Sequence, residues 1–69
     1  MSDSVYKVIE IVGVSDTSWE EAARNAVATA SKSLRDLRVA EVTTLDLTTD
    51  SDGVARFRTR LSLSFKYED

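Results

Sequence analysis

The sequence predicts an α+β domain of order β-α-β-β, with a three-stranded antiparallel sheet wrapped around one helix. Three observations carry this. VYKVIEIVGV (Val5 to Val14) is a β-branched run. Trp19, Ala22, Ala23, Ala26, Val27, Ala30 and Leu34 fall on one stripe at helical spacing. From Arg56 to Tyr67, in a strand that follows an Asp-Gly turn, residues of an apolar face alternate with polar ones.

The first strand carries apolar residues at both parities, as expected where both faces are covered along part of the length, and it is expected to end at Gly13. SDTSWEE then provides a helix start. Thr17 or Ser18 serves as N-cap, Glu20 or Glu21 closes a capping box, and the acidic pair suits the positive end of the helix dipole. The helix is expected to run to about Asp36, where the periodicity stops. Its alanines allow a close approach to the sheet.

Strand two is expected over Val39 to Thr49. Leu45 and Leu47 share one parity and Val42 has the other, so a bulge near Thr43 is needed to put all three on one face. The turn Asp50–Gly53 leads into strand three, where Phe57, Thr59, Leu61, Leu63, Phe65 and Tyr67 face the helix. Arg56, Arg58, Arg60, Ser62, Ser64 and Lys66 form the opposite, polar face.

Lengths add a further constraint. Strands of about thirteen residues reach about 44 Å. A helix of about eighteen residues covers only about 27 Å, so the hairpin overhangs its cover. An exposed apolar hairpin invites pairing with another chain. The chain is also short: a single domain of 69 residues buries only about 60% of its unfolded surface. With no cysteine for disulfides, assembly with other copies is the expected remedy.

Composition excludes several functions. Without histidine or cysteine, the usual acid–base group, thiolate nucleophiles and the common transition-metal ligands are missing. Lys7, Lys32 and Lys66 show no motif spacing toward a serine, so the chain does not read as an enzyme. The net charge of −3 argues against nucleic acid. No apolar run is long enough to span a bilayer and no signal peptide is visible, so a soluble, cytoplasmic protein is expected.

Two polar groupings remain. Glu41, Asp46 and Asp50, with Thr48 and Asp52 nearby, offer oxygen donors suited to calcium or magnesium, although the loop is no EF-hand. The plainer assignment is acidic residues balancing arginines. Arg56, Arg58 and Arg60 suit either a phosphate-binding stripe or ion pairs with Glu41, Asp46 or other carboxylates of a neighbouring strand or subunit. Trp19, at the start of the helix, is a core or interface anchor, with a stacking platform for a ligand as the alternative.

The element order and several stretches resemble the dodecin family. VYKVIEIVGVS looks like its strand-one signature, and EEAARNAV, LRDL, AEV and LSFKYED match family positions over nearly the whole chain. The resemblance implies one dodecin-like domain over residues 1–69, a hollow homododecamer, and flavins (FMN or riboflavin) bound in pairs between tryptophans of two subunits for storage. The flavin positions are mostly substituted. Val39 stands at the stacking tryptophan, Arg58 at the glutamine that meets the isoalloxazine edge, and Asp46 at an arginine that meets phosphate. Only the basic residue of the last strand is kept in kind, as Lys66.

An aromatic stack on a base is worth about 1–3 kcal/mol, so the loss of two stacking faces per flavin pair should lower affinity by orders of magnitude. A non-catalytic shell that binds small ligands or divalent cations is therefore expected, with Asp46 pairing with Arg58. The alternatives are flavin storage in an altered pocket and a structural or interaction module.

Overall fold

A computed structural model describes residues 5–35 and 37–66. Strand β1 (Tyr6–Ser15) leads to helix α1 (Trp19–Ser31), then to β2 (Leu37–Asp50) and β3 (Gly53–Lys66). The three strands form one antiparallel sheet with β3 in the centre, in the order β1-β3-β2. The expected fold class is the observed one. Expectations for Tyr67, Glu68 and Asp69, for the N-terminal Met1–Ser4 and for a helix end at Asp36 fall outside the described residues.

Ser18 caps the helix, its hydroxyl accepting the Glu21 backbone N–H at 3.0 Å. The helix stops earlier than its apolar stripe suggests. Lys32 N–H bonds the Thr29 carbonyl, while Ser33 and Leu34 N–H both turn back to the Ala30 carbonyl. These tight bonds close the last turn, and Leu34 packs on the core from the turn beyond it. At 13 residues the helix is about 20 Å long, against about 48 Å for the 14-residue strands β2 and β3. The overhang therefore exceeds the expected one, and the subunit is elongated, 56 × 20 × 16 Å.

The core sits where the helix crosses the sheet. Ala26, Ala30, Leu61 and Leu63 are buried, with Ile9, Ile11, Val27 and Leu37 packed around them. Gly13 does not end β1; it lies inside it, opposite Thr59. A Cβ there would fall 2.0 Å from the Ala22 carbonyl oxygen and 2.9 Å from the Ala26 Cβ. The small stripe on the helix thus needs a matching bare position on the strand.

The expected bulge in β2 is present. Register shifts between Val42 and Thr44, so Val42 lies opposite Leu61 and Leu45 opposite Thr59, all facing the helix side. β2 begins at Leu37, two residues before its expected start, with another register shift between Leu37 and Val39. At the hairpin, Asp50 Oδ1 accepts the Asp52 N–H at 2.8 Å. Gly53 takes a φ of 117°, open to glycine at no steric cost.

Candidate functional site

Strand pairing decides which polar groups meet. Directly opposed residues in an antiparallel sheet share a face, so the face away from the helix carries three rows. From β1 come Glu10, Val12 and Val14; from β3, Arg60, Arg58 and Arg56; from β2, Thr44, Asp46 and Thr48. Because β3 is central, its arginines have neighbours on both sides. Arg60 pairs with Glu10 at 3.6 Å, Arg58 with Asp46 at 2.7 Å, and Arg56 with Asp16 at 3.3 Å. The arginine stripe is therefore a ladder of ion pairs, and its partners come from β1, β2 and the β1–α1 connection.

One rung differs in kind. Arg58 Nε donates to Asp46 Oδ1 at 2.7 Å and a terminal nitrogen donates to Oδ2 at 3.1 Å. This fork uses both carboxylate oxygens and two N–H donors along one edge of the guanidinium, the strongest geometry for such a pair. The hydrogen bond from Arg58 holds the Asp46 carboxyl below its ordinary 3.8 against an opposing desolvation, with the charges of Arg58 and Arg60 adding to the effect. The same bond raises the Arg58 guanidinium above its ordinary value.

The positions that a flavin would use in the family share this face but not one place in the subunit. Val39 lies opposite Ser64, six residues along β3 from Arg58, or about 20 Å. Its side chain is aliphatic and the residue is 57% exposed. Lys66 ends β3 opposite Tyr6. Only Asp46 and Arg58 are brought together, and they bind each other.

The expected cation ligands separate in the same way. The bulge places Glu41 on the same face as Asp46, opposite Ser62, yet four β3 positions from Arg58 amount to about 14 Å. Asp50 lies at the hairpin end, opposite Gly53. Among the described residues no three acidic groups converge within one chain. The donors are all oxygen, which fits a hard cation, but a single subunit does not build the cage; carboxylates of several copies would have to meet.

Trp19 is more connected than its sequence context suggests. Its indole Nε1–H donates to the Asp46 carbonyl at 3.0 Å, and its own carbonyl accepts the Thr59 hydroxyl at 2.9 Å. The ring meets Phe57 edge-on, with centroids 5.2 Å apart at 81°. The anchor assignment holds for the subunit interior. The contact with Asp46 has no sequence signal, since it joins a side chain to a main-chain oxygen 27 residues away.

Relatives agree with this architecture. The Dodecin family model matches residues 5–68. Calcium dodecin of Mycobacterium tuberculosis is 52% identical over 63 residues, spanning 91% of this chain and 89% of that protein. Dodecin of Thermus thermophilus is 37% identical over 65 residues, 94% of each. The structure of Streptomyces coelicolor dodecin superposes with a TM-score of 0.92 at 39% identity, covering 100% of this chain and 99% of that one.

The Mycobacterium tuberculosis calcium dodecin structure, described as calcium chelating with a novel calcium-binding site, matches with a TM-score of 0.86 at 51% identity, over 94% and 93% of the two chains. A β-α-β-β subunit with an overhanging hairpin, matched almost end to end in sequence and in fold, belongs to the dodecin family.

Proposed function

We propose that this dodecin is a non-catalytic, cytoplasmic homododecamer that has given up flavin storage and instead buffers a hard divalent cation of the calcium type. The observation that carries the reading is the forked Asp46–Arg58 pair. It stands at two positions where the family resemblance places flavin contacts, and it satisfies both partners internally. A flavin phosphate would meet the Asp46 carboxylate, and a flavin carbonyl would have to displace that carboxylate from Arg58. Val39 supplies no aromatic plane to compensate for either loss.

Self-assembly is supported by the overhang. Val42, Leu45, Leu47 and Val54 on the hairpin are exposed apolar residues, as are Val8 and Val12 on β1, and β2 leaves one edge without a partner among the described strands. The cation reading is supported by the oxygen-only donor set and by the likeness to calcium dodecin. Glu41 and Asp50 are the donors with carboxylates uncommitted to a guanidinium. Asp46 has only its remaining lone pairs to offer. A site built from these residues draws them from more than one copy.

Two titrations of the assembled oligomer test the proposal. Riboflavin and FMN fluorescence should stay unquenched up to high micromolar protein; saturable quenching would restore flavin storage. Calorimetry with calcium should give saturable heat that Glu41→Gln and Asp50→Asn each reduce. Absence of heat with both calcium and magnesium would remove the cation reading and leave the shell.

A further inference from the structure

We propose that Trp19 is the positioning residue of the Asp46–Arg58 pair, gripping the strands on both sides of it from the first turn of α1. Asp46 sits on β2, an edge strand that the short helix barely reaches. Among the described residues, the indole Nε1–H bond to the Asp46 carbonyl at 3.0 Å is the one hydrogen bond from α1 to β2.

On β3, Trp19 holds the residues that flank Arg58 in sequence. Phe57 takes the ring edge at 5.2 Å, and the buried Thr59 donates its hydroxyl to the Trp19 carbonyl at 2.9 Å. Phe57 and Thr59 face the helix, so Arg58 between them must face away, toward Asp46. One side chain and its own carbonyl therefore fix both strands at the register where the fork closes. A fork with two bonds in a fixed plane tolerates little sliding, so the grip turns a half-exposed surface pair into a preorganised one.

The consequence for ligand choice rests on the reading of the pair as the element that displaces flavin. The positioning itself does not, and it has its own test. Trp19→Phe keeps the ring edge and the backbone carbonyl but removes the Nε1–H donor. Hydrogen exchange at the Arg58 side-chain Nε–H, followed by nitrogen-15 NMR of the assembled protein, should speed up about five- to tenfold, as expected for losing one ordinary hydrogen bond. The Arg56 Nε–H, which faces Asp16 at 3.3 Å on a rung that Trp19 does not touch, should be unchanged.

The reciprocal variant covers a failure of Trp19→Phe to assemble. Arg58→Gln removes the fork, and exchange at the Trp19 indole N–H should then rise by a similar factor. Trp19 is the sole tryptophan, so its signal is unambiguous. Unchanged exchange at Arg58 in the first variant, or at Trp19 in the second, would overturn the assignment. Equal acceleration at Arg58 and Arg56 would also overturn it, because that is general loosening. A flavin titration of wild-type protein that shows binding would refute the displacement reading and leave the positioning result standing.

Discussion

Leu63 and Leu45 face the same side of the same sheet, yet one is fully buried and the other is 50% exposed. Leu63 lies under the helix, among Ala26, Ala30 and Leu61. Leu45 lies to the side of it, on edge strand β2 opposite the buried Thr59. The subunit thus has two halves with different origins of stability: a core completed by its own chain, and the β2 edge with the hairpin end, whose apolar face is left for neighbours. The flavin-position residue Asp46 sits on the second half, and Arg58 reaches it from the central strand on the face away from the helix.

The largest effect is expected where the covered half is tightest. Gly13→Ala puts a methyl 2.0 Å from a backbone carbonyl, and a helix tied to the sheet through Trp19 and Asn25 cannot simply lift away. Overpacking of this kind costs about 3 kcal/mol or more, and loss of assembled protein on size-exclusion chromatography is the expected outcome. Normal assembly of this variant would show that α1 moves freely over β1 and that the close packing is not needed.

Next come the two leucines themselves. Leu63→Ala should cost about 2–5 kcal/mol as a buried cavity mutant, read as a lower denaturation midpoint at any protein concentration. Leu45→Ala in an isolated subunit would cost only about 1 kcal/mol, since half the side chain is already wet. In the assembled shell it should cost more, and the loss should grow on dilution, because stability of an obligate oligomer depends on protomer concentration. A Leu45→Ala midpoint insensitive to concentration would place this part of the β2 edge outside any subunit contact.

A smaller effect is expected at the junction of the halves. Ser18→Ala removes the acceptor for the Glu21 N–H and should lower stability by about 1 kcal/mol. Because Ser18 precedes Trp19, fluorescence of the sole tryptophan should report fraying of the first turn before the far-ultraviolet helix signal falls. Simultaneous loss of both signals would mean that the helix start is held by the indole rather than by its cap.

The covered half was largely legible in the sequence, and the limits have physical causes. The alternation from Phe57 to Phe65 identified the inner face because a strand buried on one side repeats every two residues. The parity conflict of Val42 with Leu45 revealed the bulge for the same reason. The helix end was not legible: Leu34 continues the stripe four residues after Ala30, while the real stop is set by three N–H groups returning to Thr29 and Ala30 carbonyls.

Gly13 was misleading because a glycine required by a close helix looks, in one dimension, like a strand end. At the site, the Asp46–Arg58 pair was expected from residue type and family position. The partners of Arg56 and Arg60 were not, because they follow from β3 being central, and hairpin order alone does not place β1 beside it.

The smallest expected effect is on the exposed half and depends on pH. Arg58 holds the Asp46 carboxyl below its ordinary 3.8. A carboxyl depressed in the folded state adds stability that is fully present above the unfolded value and is lost as pH falls through the folded one. The pair's contribution should therefore be constant from neutral pH down to about 5 and should fade below about 4.

Urea midpoints of wild type and Asp46→Asn, measured across that range at one protein concentration, should differ by a constant small amount above pH 5 and converge in acid. Both groups lie near the surface, so screening keeps the gap small and 1 M salt should narrow it further. A gap that does not narrow at all as pH falls below about 4 would mean that the Asp46 side chain acts through its packing and neutral hydrogen bonding, not through the charge it shares with Arg58.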